Sequence, residues 1–136
     1  MCFPHGQNSS WIYVYEKLFM RNFKKLEIWQ YGYRIAVNCF KITESFSYHQ
    51  KLGLGLQINK SGISIPSNIA EGSGRDTERD YNRFIEISLG SSFELETQLL
   101  VAQEMSFGNQ VLLSDTLDLL SREEKMLLSF SNTLKK

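Results

Sequence analysis

The titratable and nucleophilic residues of this 136-residue chain are few, and their spacing is poor for catalysis. Glu94 and Glu96 invite an acid–base reading, but two residues apart on a helix they point about 200° from one another and cannot act together on one substrate atom. A carboxylate-bridged metal pair needs Glu-x-x-His on two helices. The two histidines, His5 and His49, do not follow a Glu at that spacing. Cys2 and Cys39 form no Cys-x-x-Cys pair, and Cys39 has no histidine near it in sequence, so it reads as a small core hydrophobe. Gly53-Leu54-Gly55 lacks the third glycine of a dinucleotide fingerprint, and Gly72-Ser73-Gly74-Arg75 lacks the Gly-Lys-Ser/Thr ending of a phosphate loop. The expectation is a protein with no catalytic, metal or cofactor site and no small-molecule substrate. An enzyme ranks last among the function classes.

The elements that would position any site are helical. One domain accounts for this length, and an apolar share of 42% with a charged share of 22% is ordinary for a globular chain. Residues 1–19 show no sustained period and hold Pro4, Gly6 and a polar run, so 1–22 read as a leader, disordered or ordered only on contact, ahead of a domain at 23–136. The change of character at Met20 also marks a candidate translation start. Leu26, Trp29, Tyr33, Ala36, Val37 and Phe40 form one stripe of a first helix over about 24–44. Residues 45–53 read as a connection ending in glycine. A second helix carries Leu54, Ile58, Ser61 or Gly62, Ile65 and Ile69. Pro66 sits inside it, but the apolar phase is unchanged across the proline, which favours one helix kinked at Pro66 over two short ones. Gly72 and Gly74 stop it, Asp76 or Thr77 caps a third helix, and its apolar period runs from Tyr81 through Leu95 and Leu99 to Met105. Within it the small residues Ser88, Gly90, Ser91 and Ser92 suggest close approach by another helix. After a turn at Phe107-Gly108-Asn109, Leu113, Leu117, Leu120, Leu127 and Leu134 mark a fourth helix. Four such helices with short connections bury their stripes as an all-α, antiparallel up-and-down four-helix bundle.

The least ordinary segment is Ser64-Ile65-Pro66-Ser67-Asn68-Ile69-Ala70-Glu71-Gly72. Two readings stand beside each other. Ser64 or Asn68 can serve backbone groups freed by Pro66 while Glu71 pairs with Arg75, or the segment is a polar patch for a partner or neighbouring subunit. This segment, with Leu26-Glu27-Ile28-Trp29-Gln30, Gly53-Leu54-Gly55-Leu56-Gln57-Ile58, Tyr81-Asn82-Arg83-Phe84 and Gly90-Ser91-Ser92-Phe93-Glu94-Leu95-Glu96, resembles the 23S rRNA intervening-sequence proteins over about residues 23–107. The resemblance implies a left-twisted four-helix bundle assembled as a ring-like homopentamer. Open reading frames of this type lie in intervening sequences of bacterial 23S rRNA genes, and a related accessory protein of diversity-generating retroelements binds reverse transcriptase and RNA. Ser64, Pro66, Ser67, Asn68, Glu71, Arg75, Gly90, Ser91 and Glu94 are the family-motif positions nominated for partner or subunit contact. Where the family often carries two basic residues after Gln-Ile, this chain has Asn59-Lys60.

Net charge is zero, but residues 20–60 carry +5 and residues 61–124 carry −8. A basic first half facing an acidic second half suits complementary packing or attraction to nucleic acid. Arg34, Lys41 and Lys60 are the RNA-contact candidates. The leading expectation is a non-enzymatic oligomeric adaptor for RNA or a ribonucleoprotein, and the alternative is a protein-only scaffold. Cysteine usage and the lack of a signal-peptide pattern suit the cytoplasm, and no apolar run has membrane-spanning length. Removing residues 1–19 is expected to leave helicity unchanged and the melting temperature within a few degrees, which circular dichroism melting checks.

Overall fold

A computed structural model describes residues 21–136 together with Trp11, Ile12 and Val14. The leader, and the effect expected of deleting residues 1–19, otherwise lie outside the described residues. A single 3-10 turn, Phe23–Lys25, leads into α1 (Glu27–Glu44), and three long helices follow: α2 (Leu56–Ser73), α3 (Glu78–Glu104) and α4 (Gln110–Leu134). The described residues contain no strand. Each helix packs on two neighbours, with α4 returning onto α1, which closes the four-helix bundle. No helix among the described residues is long and apolar enough to cross a membrane.

The core takes Ile35, Cys39 and Ile42 from α1, Ile58, Ile65 and Ile69 from α2, Tyr81, Ile85, Leu95 and Leu99 from α3, and Leu113, Leu120 and Leu127 from α4. On α2, α3 and α4 these are the expected stripes, apart from Met105, which is exposed beyond the end of α3. On α1 the phase differs. The face turned inward is Ile28, Gly32, Ile35, Ala36, Cys39 and Ile42, whereas Tyr33 and Phe40 are about half exposed, at 54% and 50%. The helix is apolar on two faces, and the aromatic one is the outer. Size decides which face goes in: Gly32 and Cys39 let α2 come close where an aromatic ring would hold it away. A Cβ on Gly32 would lie 3.1 Å from Ile65 Cγ2 and 3.4 Å from Pro66 N, and one on Gly62 would lie 2.8 Å from Cys39 Sγ.

Pro66 lies within one continuous α2, as the unbroken apolar phase predicts. Neither Ser64 nor Asn68 reaches the Gly62 carbonyl, the acceptor that Pro66 cannot serve. Asn68 Nδ2 instead donates to the Ser64 carbonyl at 2.8 Å, and the buried Ser88 hydroxyl donates from α3 to the Ile65 carbonyl at 2.9 Å. Residues 45–53 are mostly not a connection. A turn of helix at Tyr48–Gln50 is held by a reciprocal cap, in which Ser47 Oγ accepts from Gln50 N while Gln50 Oε1 accepts from Ser47 N. A wide π turn, Lys51–Gly55, then runs directly into α2. The Ser-x-x-Gln pattern is the helix start, and the glycines at 53 and 55 accompany the wide turn instead of ending an irregular loop.

The remaining ends follow the sequence signals. Thr77 Oγ1 accepts from Asp80 N at 3.1 Å and starts α3, and Asn109 Oδ1 accepts from Leu112 N at 3.0 Å and starts α4. Arg21 donates to the Ser73 and Arg75 carbonyls at the end of α2 and lies 5.3 Å over the Tyr81 ring. Between α3 and α4, Gly108 has φ +76°, and a Cβ there would stand 2.7 Å from Phe46 Cε1 and 3.0 Å from the Ile42 carbonyl oxygen. Gly108→Ala is therefore expected to cost about 1–3 kcal/mol, through left-handed strain and displacement of Phe46, with α-helix content retained. Denaturant unfolding with an unchanged m-value checks it.

Candidate functional site

The motif residues of α2 and α3 converge on a polar cleft. Ser64 Oγ and Ser91 Oγ share a hydrogen bond of 2.8 Å across the two helices, and Asn68 Nδ2 donates to Ser64 Oγ at 2.9 Å. One turn away, Ser61 Oγ and Gln98 Nε2 both donate to Glu94 Oε1 at 3.3 Å. Gln57, Lys60, Ser61, Ser64, Ser91 and Glu94 line a space of about 320 Å³. These bonds fix the register of α2 on α3. They also consume much of the hydrogen-bonding capacity that a ligand would need.

The other motif positions disperse. Pro66 is buried against α1, while Ser67 is exposed on the α1 side of α2. Glu71 pairs with Arg75 at 2.8 Å, as the local reading expects, and the Arg75 guanidinium also lies 4.5 Å over the Phe84 ring of α3. Gly90 faces open space: it is exposed, and a Cβ there would meet nothing within 4 Å. The close approach expected at this strip is made within the chain by Ser88 and Ser91, not by Gly90.

The basic candidates are also split. Lys60 lies in the α2–α3 cleft, whereas Lys41 lines a groove of about 610 Å³ between α1 and the start of α2, with Val37, Phe40, Lys51 and Leu56. Arg34 is exposed on the same helix as Lys41. Phe23, Trp29, Tyr33, Phe40, Ile63 and Pro66 contribute to an adjoining apolar groove of about 380 Å³. The Trp29 and Tyr33 rings stack there at 5.2 Å and 27°, with Phe23 edge-on to Trp29 at 5.3 Å. This aromatic groove was hidden by assigning the same stripe to the core.

Charge chemistry elsewhere is set by burial. Burial pushes the Cys39 thiol up to about 12, which makes it unreactive in the neutral range. Glu124 faces Glu96 between α4 and α3, and burial first, then repulsion and hydrogen bonding within the carboxyl pair, raise it to about 7. Glu123 is fully buried, and burial lifts its carboxyl to about 9. The described residues contain no group of three or more His, Cys, Asp or Glu side chains arranged to hold a metal ion.

Residues 24–129 match the family model described as 23S rRNA-intervening sequence protein. The chain belongs to that family. No curated protein matches it. The match extends the sequence resemblance through most of α4, so the polar cleft, the buried Glu123 and all of the aromatic groove except Phe23 fall inside the family domain. Within this member, Gly90→Ala is expected to raise stability by about 0.5–1 kcal/mol, because the exposed helical glycine meets no neighbour in its own chain. Thermal melting checks the gain. A lower oligomer mass at unchanged helicity would instead reveal a neighbouring subunit at this point.

Proposed function

We propose that this protein is a non-enzymatic oligomeric adaptor that binds single-stranded RNA or a ribonucleoprotein through the outer face of α1. The arrangement of that face carries the reading. Tyr33 and Phe40 stand half exposed with Arg34 and Lys41 next to them in sequence, and Trp29 stacks beneath Tyr33. Aromatic faces accept unpaired bases without regard to sequence, and adjacent cations follow the phosphates. The family name, with its reference to rRNA, agrees with this chemistry. Self-association as a homopentamer follows the family resemblance, and the exposed apolar residues of a narrow bundle supply surface for it.

A protein-only scaffold is the second reading. The apolar lining of the α1–α2 groove and the opposite charges of the two halves of the chain favour it. Light scattering at micromolar concentration tests assembly, and a monomer there removes the oligomeric part of both readings. For RNA, about three phosphate contacts per subunit give a slope near −2 for log affinity against log salt, from roughly 0.7 per phosphate. Changing Arg34, Lys41 and Lys60 together to Gln should flatten that slope with assembly intact. Because Lys60 lies across α2 from the other two, R34Q/K41Q alone should account for most of the loss. Tyr33→Ala should weaken binding by about 1–3 kcal/mol with the salt slope unchanged. Absence of RNA retention at about 50 mM salt would leave the scaffold reading in first place.

A further inference from the structure

Among the described residues Glu123 has no hydrogen-bond partner for either carboxyl oxygen, although it is fully buried between helices. Its surroundings are unusually specific. Oε2 rests against the bare backbone of Gly32 on α1, where a Cβ would stand 2.8 Å away, and that same point lies 3.1 Å from Ile65 Cγ2 and 3.4 Å from Pro66 N on α2. The carboxyl group of α4 is thus inserted beside the turn of α2 in which Pro66 has no N–H. In an α-helix the N–H of residue 66 would serve the carbonyl of residue 62. Gly62 therefore lacks the helical N–H donor its carbonyl would ordinarily have, on the turn of α2 against which an acid without a hydrogen-bond partner is packed.

We propose that Glu123 is a neutral carboxylic acid whose O–H donates to the main-chain carbonyl of Gly62, replacing the N–H that Pro66 lacks and fastening α4 to α2. A buried acceptor and a buried acid are each costly alone, and the bond satisfies both. The groups given by the geometry around the carboxyl group are uncharged: Gly32 from α1, and Ile65 and Pro66 from α2. Burial raises its proton affinity, and among the described residues no cation is paired with it to favour the ionised form. On its own helix the next residue is Glu124, whose carboxyl faces Glu96 of α3.

The proton linkage has a definite sign. The folded acid holds its proton to about pH 9, while the unfolded one releases it near 4.5. Stability from this group is complete below about 4.5 and falls as pH rises to about 9. Glu124 releases its proton at about 7, and the buried Cys39 thiol adds its own dependence only as pH nears its ordinary 9.0, so Glu123 dominates between these limits. Between about pH 7.5 and 8.5 the unfolding equilibrium constant should rise roughly tenfold per pH unit, the response to one proton.

The experiment is a pH series of chemical denaturation on the full chain, with infrared spectroscopy of the native protein. The wild type should show the tenfold rise and a protonated-carboxyl band at neutral pH. Glu123→Gln, whose amide can donate in the same place without titrating, should fold, lose that band and flatten the pH response. Pro66→Ala supplies the missing N–H, so Glu123→Leu should raise the unfolding constant at least tenfold less in the Pro66→Ala background than in the wild type. If Glu123→Leu fails to fold on the native background, folding of the Pro66→Ala/Glu123→Leu double variant gives the same support. A flat wild-type response with no protonated band would overturn the neutral acid, and additive effects of Pro66→Ala and Glu123→Leu would overturn its bond to Gly62.

Discussion

The close approach of α1 to α2 governs the rest of the bundle. Gly32, Cys39 and Gly62 remove side-chain bulk at the crossing, so that backbone and small groups touch where large residues would otherwise interdigitate. Three consequences follow. Bulky Tyr33 and Phe40 are placed on the outer side of α1, room opens under Gly32 for the carboxyl group of Glu123, and Pro66 is brought against α1 instead of solvent. The surface proposed for binding and the buried acid thus have one cause, a pair of helices packed too closely for aromatic side chains between them.

Much of the architecture was legible because each helix after the first has one apolar face and clear punctuation. Thr77 and Asn109 cap where short polar residues precede apolar periods, and Gly108 occupies a turn that needs both a positive φ and no side chain. Helix α1 resisted reading because its two apolar faces have the same period. Hydrophobicity favours the face with Trp29, Tyr33 and Phe40, while packing favours the face with Gly32 and Cys39, and only the identity of the opposing helix decides between them. The start of the second helical segment was missed for a different reason. Two glycines outweighed the Ser47-to-Gln50 capping signal, although a wide turn accommodates both without breaking the chain of helical residues.

Site residues were legible as types and less so as neighbours. The polar positions of the motif do meet polar positions of α3, and the pairing of Ser64 with Ser91 and of Ser61 with Glu94 explains why a helix–helix seam carries hydroxyls. Such bonds specify register, since sliding either helix by one residue would separate them. The basic residues could not be grouped from spacing alone: Lys60 and Lys41 belong to neighbouring helices but to different grooves. Glu123 had a readable signal that charge counting hid. It falls between Leu120 and Leu127 at spacings of three and four, in the core phase of α4, where a carboxylate would be out of place.

That position makes sense of a proline in the middle of a buried helix. A proline there normally leaves a carbonyl without a donor, and a water-filled gap or a bent helix is the usual remedy. Here the crossing is too tight for bulk at Gly32, and the group that does enter is the end of a long side chain from a third helix. A carboxylic acid can reach into that space and offer one proton, whereas Leu or Met would fill it without serving the carbonyl. The polar cost of the proline and the polar cost of the acid are then one problem with one solution. Three helices are fixed at a single point, leaving the outer face of α1 available for a partner.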